Sequence, residues 1–252
     1  MRIAGLQHDI VWEDRDATLM SLAPQVRAAA SAGAELVVVT EMFATGFSMR
    51  THLTAEPADG PTATWMAERA AEHGVWLAGS VPLQAEDADG LPTNSLLLIG
   101  PDGETHRYDK IHPFSYAGEH ERFSPGDEDV VVEVGGVRWG LTVCYDLRFA
   151  DQYWRLGPEV DAYLVVANWP APRRAHWQAL LRARAVENQA YVVGVNRIGS
   201  GGDLTYAGDS CILDPAGEVL VAATTDPTML LADIDPARVS GVRARFPFLQ
   251  DR

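Results

Sequence analysis

The chain has 252 residues, 47 % apolar and 22 % charged, which is enough for a sizeable core in one large domain or two small ones. Its net charge of −15 argues against nucleic acid or an anionic membrane as partner, since both call for a basic footprint. The opening MRIAGLQHDIVW has neither the basic nor the apolar region of a secretion signal, and no run approaches ~18 apolar residues, so a soluble, cytoplasmic protein with Cys144 and Cys211 as free thiols is expected.

In chain order, residues 2–7 read as a short apolar strand. Leu19, Leu22, Ala23, Val26 and Ala30 then recur at helical spacing behind a cap expected at Asp16, and Gly33 ends that helix. Leu36–Val39 is a continuous apolar run, the pattern of a parallel strand covered on both faces. A helix over Pro61–His73, stopped by Gly74, leads into a strand over Val75–Val81 that Pro82 is expected to close. The middle reads as two hairpins. One joins Ser95–Ile99 to Thr105–Tyr108 through Pro101-Asp102-Gly103, the other Val130–Val134 to Val137–Val143 through Gly135-Gly136. Alternation resumes with a short helix near 150–156, a strand over Ala162–Ala167, a helix near 174–189 and a strand over Tyr191–Val195. A hairpin of 208–213 with 218–223 and a strand near 229–234 complete the pattern. No linker divides the chain, so a single α/β domain over 1–252, helices outside and sheets inside, is expected.

Glu41, Lys110 and Cys144 each follow a predicted strand, the usual place for active residues in α/β folds. Taken singly, each has a structural explanation: a helix cap, a solvated loop lysine, a small buried hydrophobe. Together they make chemical sense, because a free thiol with a pKa of about 8.5 is only about 3 % thiolate at pH 7 and needs a base or a cation. No CxxC, HExxH or His/Cys cluster of metal-ligand spacing occurs, so no metal is expected.

The flanking segments VVVTEMFATGF, YDKIHPF and GLTVCYDLRF resemble those of the carbon–nitrogen hydrolase (nitrilase-like) superfamily. The resemblance continues through HWQALLRARAVENQAYVVGVNR and GDSCILDPAGEVL. That family uses a Glu–Lys–Cys triad in this chain order, with separations of 69 and 34 residues here. The resemblance implies a four-layer α-β-β-α sandwich of two mixed sheets, commonly paired into a homodimer. It also implies Cys144 as nucleophile, Glu41 as base, and Lys110 with the Tyr145 backbone N–H as oxyanion donors. A fourth family residue, a Glu shortly before a PGD turn, falls on Glu119 in GEHERFSPGD, with Glu121 the second candidate. Glu119 would hold Lys110, and two carboxylates around one ammonium should titrate together.

Within that family, KIHPFSYAGEHERFSPGD and ANWPAPRRAHWQALLRARAVENQ are most similar to the omega-amidase branch. Those enzymes hydrolyse the terminal amide of small 2-oxo acid amides such as 2-oxoglutaramate, without a cofactor. The carboxylate of such a substrate needs a cation against the −15 charge. Arg148 and Arg173 are the candidates, with structural ion pairs as their alternative role. Phe114, Tyr145 and Trp169 would shape the pocket. His112 and His120 raise a Cys–His dyad as another arrangement, although the family gives the base role to Glu, which leaves them as loop or pocket-wall groups. Cys211 is expected to be buried, and Arg184, Glu187 and Asn188 to form a structural network. Two rival readings stand beside the omega-amidase. One is an N-carbamoyl-amine or aliphatic-amide hydrolase with the same triad, the other a catalytically silent binding protein on the same fold.

Overall fold

The computed structural model describes residues 1–87 and 89–252. The chain runs β1 (Arg2–Gln7), α1 (Arg15–Ser31), β2 (Leu36–Val38), α2 (Thr51–Thr54), α3 (Pro61–His73), β3 (Trp76–Leu83), β4 (Thr93–Ile99) and β5 (Thr105–Asp109). It continues through β6 (Val131–Val134), β7 (Val137–Val143), α4 (Ala150–Leu156), β8 (Ala162–Ala167), α5 (Arg174–Asn188) and β9 (Tyr191–Asn196). The last elements are β10 (Ile198–Gly201), β11 (Leu204–Ala207), β12 (Cys211–Leu213), β13 (Val219–Ala222), β14 (Thr228–Asp233) and α6 (Pro236–Arg245).

Two six-stranded sheets form, ordered β14-β1-β2-β3-β4-β5 and β13-β12-β9-β8-β7-β6. Each has three parallel strands at its centre, joined by helical crossovers, and antiparallel strands outside them. Alternation sorts the side chains of the first sheet. Leu36, Val38, Leu96 and Leu98 face the second sheet and pack with Leu141, Val143, Leu164 and Val166. Val37, Leu77, Leu97 and Ile99 face outward and are covered by Leu22 and Val26 of α1 and Met66 and Ala70 of α3. On the far side, Trp177, Leu181 and Ala185 of α5 cover the second sheet. The result is the expected α-β-β-α sandwich. Among the described residues, no helix is long and apolar enough to cross a membrane.

Several local expectations need correction. The cap of α1 is Asp14, whose carboxylate accepts from Ala17 N at 3.0 Å; Asp16 sits inside the first turn. Pro82 does not close β3, which runs on to Leu83 and pairs Pro82 with Asn94. The backbone of Ser80 bonds toward Thr40 and that of Pro82 toward Glu56, so the missing N–H of Pro82 points away from β4 and interrupts no bond of that pair. The β10–β11 hairpin, α6 and the antiparallel β3–β4 pair had no counterpart in the expected elements.

The sandwich brings the carboxyl ends of β2, β5, β7 and β8 together. Gly79 matters here, because a Cβ on it would fall 2.3 Å from Val39 Cγ2 and 2.8 Å from Phe43 Cδ1. Only a glycine lets residues 39–43, and with them Glu41, lie down against β3.

Candidate active site

Glu41, Lys110, Glu119 and Cys144, 103 residues apart from first to last, meet at that end. Glu41 and Glu119 are fully buried, Lys110 is 2 % exposed and Cys144 8 %. The Lys110 ammonium donates to Glu41 Oε1 at 2.9 Å and to Glu119 Oε1 and Oε2 at 3.0 and 2.8 Å. Glu121 is exposed, which leaves Glu119 as the carboxylate that meets the lysine. Phe114 N also donates to Glu119, tying the loop that carries Phe114 to the cluster.

Two residues that the sequence reading missed complete this arrangement. Asn94, at the start of β4, donates through Nδ2 to Glu41 Oε1 at 2.8 Å and Glu119 Oε1 at 3.1 Å. Asn168, just after β8, donates its backbone N–H to Glu41 Oε2 at 2.8 Å and its side-chain amide to Glu41 O. The available signal was a buried Asn-Ser pair opening the otherwise apolar run of β4, and an Asn ending the apolar run of β8.

Charge and burial set the proton positions. Burial works against the Lys110 charge, but the Glu119 and Glu41 carboxylates outweigh it and raise the ammonium pKa above its usual range. Burial pushes the Glu119 carboxyl up; Lys110 pulls it down, Glu41 pushes it up again, and the net direction is upward. The Cys144 thiol is also raised well above its ordinary value, first by burial and then by the neighbouring Glu41 carboxylate, with Lys110 opposing. Cys144 has φ +47°, a left-handed backbone that non-glycine residues seldom adopt and that recurs at functional sites. The resting nucleophile candidate is thus a protonated thiol on a strained turn beside a carboxylate.

A cleft lies over this cluster. Glu41 and Cys144 reach its wall, and Lys110 and Glu119 lie behind it. All five expected substrate-binding residues line it: Phe114, Tyr145, Arg148, Trp169 and Arg173. Phe47, Asn168 and Leu204 of β11 add to the wall. Arg148 stacks over Trp169 at 4.8 Å and donates to His176 Nδ1 at 3.1 Å, while Arg173 stacks over Phe114 at 5.1 Å. Among the described residues, neither arginine pairs with a carboxylate, unlike Arg174 beside them, which is locked to Asp209.

The other expected groups fall outside the cleft wall. His112 faces Asp146, with Nδ1 2.8 Å from Oδ1, and does not form a dyad with Cys144; His120 is exposed. Cys211 is buried on β12 and its thiol pushed up to about 12 by burial. Arg184 donates to Leu147 O and Glu187, and Asn188 to Arg184 O, as the structural network expected. No group of three or more His, Cys, Asp or Glu arranged to hold a metal ion occurs among the described residues.

A family model described as carbon-nitrogen hydrolase matches residues 2–244. The chain belongs to the carbon–nitrogen hydrolase family. This carbon–nitrogen hydrolase is 41 % identical over 253 residues to omega-amidase YafV of Escherichia coli (strain K12), a match covering 100 % of the chain and 96 % of that relative. It is 34 % identical over 222 residues to the 2-oxoglutaramate amidase of Bacillus subtilis (strain 168), covering 86 % and 85 % of the two. XC1258 from Xanthomonas campestris, a CN-hydrolase superfamily protein solved with an arsenic adduct in its active site, matches its fold with a TM-score of 0.94 at 37 % identity, covering 100 % of the chain and 97 % of XC1258. The hydrolase therefore acts on carbon–nitrogen bonds, and the Escherichia coli and Bacillus subtilis relatives are amidases by name.

Proposed function

We propose that the protein is an omega-amidase-like enzyme that hydrolyses the terminal amide of a small 2-oxo acid amide, 2-oxoglutaramate or a near relative, with residues 1–252 acting as one domain. The observation that carries this reading is one cleft holding Cys144 and Glu41 at its base and, in its wall, two arginines that pair with no carboxylate among the described residues. Such arginines suit a substrate carboxylate, for which the guanidinium fork is shaped. The names of the relatives agree with this substrate class.

In the proposed reaction, Cys144 Sγ attacks the amide carbon while Glu41 takes the thiol proton. The raised thiol pKa makes a base at this position necessary. Negative charge grows on the former carbonyl oxygen and meets Lys110 Nζ and the Tyr145 backbone N–H. Glu41 returns the proton to the nitrogen, which leaves as ammonia and so never departs as an anion. The thioester that remains is attacked by water. Glu41 now takes the water proton, the same donors hold the second oxyanion, and the C–S bond breaks as Glu41 hands that proton to the sulfur, giving the carboxylic acid and the free thiol. Glu119 keeps Lys110 in place throughout. No step calls for a metal or an organic cofactor. The homodimer is carried over from the family resemblance, and the half-exposed Trp154 is compatible with it.

The test is ammonia release from 2-oxoglutaramate, compared with glutamine, asparagine, N-carbamoylputrescine and a simple nitrile, using wild type and Cys144→Ala. Rapid turnover of the oxo-amide that Cys144→Ala abolishes is expected. Turnover of another substrate through Cys144 would keep the chemistry and refute the substrate, and carbon dioxide released with ammonia would identify a carbamoyl group. Full activity in Cys144→Ala would refute the mechanism.

A further inference from the structure

Two residues past Cys144, the Asp146 carboxylate is fully buried and no lysine or arginine pairs with it among the described residues. It is held instead by four donors. Oδ2 accepts from Val143 N at 2.9 Å and from Tyr108 OH at 2.7 Å. Oδ1 accepts from His112 N at 3.0 Å and lies 2.8 Å from His112 Nδ1, which therefore carries its proton toward the carboxylate. These donors bracket the two reacting groups. Val143 immediately precedes Cys144, and Tyr108 and His112 lie two residues to either side of Lys110.

The surroundings stiffen the arrangement. Phe149 N donates to Asp146 O, closing the turn just after Cys144, whose own backbone is left-handed. The Phe149 ring stacks on His112 with centroids 3.6 Å apart. Tyr108 OH also accepts from Ile111 N at 3.3 Å and Gln152 Nε2 at 3.0 Å, so one hydroxyl ties the chain after Lys110 to Asp146. Burial and the facing carboxylate raise the Tyr108 pKa well above its usual value, keeping that hydroxyl a donor. A strained conformation persists only where its surroundings over-determine it.

We infer that Asp146 is a positioning residue: its carboxylate clamps the nucleophile turn of the second sheet to the Lys110 strand of the first, and so sets the thiol against the ammonium that receives the oxyanion. The inference rests on the roles proposed for Cys144 and Lys110. Asn at this position keeps the shape but offers one acceptor oxygen. Its NH₂ then faces two donors on the other side, so the grip on one of the two strands is lost.

The test measures kcat and KM per folded molecule for Asp146→Asn and Tyr108→Phe, with folding followed by circular dichroism and thermal denaturation and Cys144→Ala run in parallel. Because a displacement of about 1 Å at a reacting centre costs roughly 100-fold in rate, kcat of Asp146→Asn should fall about 100-fold with KM changed less than about threefold. Tyr108→Phe, which removes one donor and leaves the carboxylate, should lose about tenfold in kcat by the same argument. A folded Asp146→Asn enzyme with wild-type kcat overturns the inference, as does a loss matched by the unfolded fraction or one that lies wholly in KM. Should Asp146→Asn fail to fold, Tyr108→Phe decides, and a kcat within about twofold of wild type would overturn the clamp. Activity surviving in Cys144→Ala would instead bring down the catalytic reading beneath it.

Discussion

Replacing Lys110 by methionine separates the two roles the structure gives to its ammonium. In the folded protein, Nζ lies within 3.0 Å of three carboxylate oxygens on two fully buried glutamates. Removing one partner of a buried ion pair costs about 3–5 kcal/mol, because the remaining charge is left without compensation. Asn94 still donates to both carboxylates, so the lower end, about 3 kcal/mol, is expected. The Glu119 carboxyl, already raised by burial and by Glu41, rises further once the ammonium is gone. A carboxyl with a folded pKa above its unfolded value binds more protons in the folded state. Its contribution is then present at low pH and is lost as pH climbs through the folded pKa. The stability deficit relative to wild type should therefore be larger at about pH 8 than at about pH 5.5, as read by urea denaturation. Losing an oxyanion donor removes about 2.7–4 kcal/mol of transition-state stabilisation, a fall in kcat of roughly 100- to 1,000-fold, as read by ammonia release. A folded variant with kcat reduced less than about tenfold, or with a deficit that grows toward low pH, would refute the reasoning.

Three further perturbations follow from the same geometry. With its pKa raised by burial and Glu41, the Cys144 thiol should react slowly with iodoacetamide at neutrality and ever faster toward about pH 9. Peptide mass analysis reads this, and a plateau below about pH 8 would contradict the direction of the shift. Asn94→Leu strips one donor from both buried carboxylates, and hydrogen bonds to charged groups contribute about 1.5–3 kcal/mol, so kcat should fall roughly 10- to 100-fold. Unchanged kinetics would make Asn94 a bystander. Arg148→Met and Arg173→Met should each raise KM for a carboxylate-bearing amide by about tenfold or more while leaving a neutral amide within about twofold. Equal effects on both substrates would assign the arginines to packing.

Much of the architecture was legible because burial leaves a periodic trace. The apolar run Leu36–Val39 reads as a parallel strand covered on both faces, and Leu36–Val38 is one; Ala162–Ala167 reads as an apolar strand and lies parallel between β7 and β9. The elements that escaped lack that trace. In α6 only Val239 is buried, so PARVSGVRAR shows no apolar stripe. The β10–β11 hairpin is glycine-rich and is anchored by Arg197, whose guanidinium bonds to Asp9, Ile10 O and Ser200 O, an anchor from far outside any local window. The cap at Asp14 was misplaced by two residues because two aspartates and an arginine open α1, and only geometry tells which carboxylate reaches Ala17 N.

The cluster divides along the same line. Glu41, Lys110, Glu119 and Cys144 are chemically loud residues inside recognisable segments, whereas Asn94 and Ser80 are ordinary polar residues whose roles exist only across the β3–β4 pair. Met42 N donates to Ser80 Oγ at 2.8 Å, which turns the Ser80 hydroxyl proton toward Asn94 Oδ1, also at 2.8 Å. With Oδ1 occupied by that donor, the Asn94 amide has a single orientation, and Nδ2 must face Glu41 and Glu119. The backbone after β2 thus dictates, through one hydroxyl and one amide, which way a donor points at the base and at the carboxylate behind it. A buried polar chain of this kind is stable only when every member is satisfied, so its identity is set by the paired register of two strands and by the charges they enclose. Neither quantity is carried by the local sequence around residue 94.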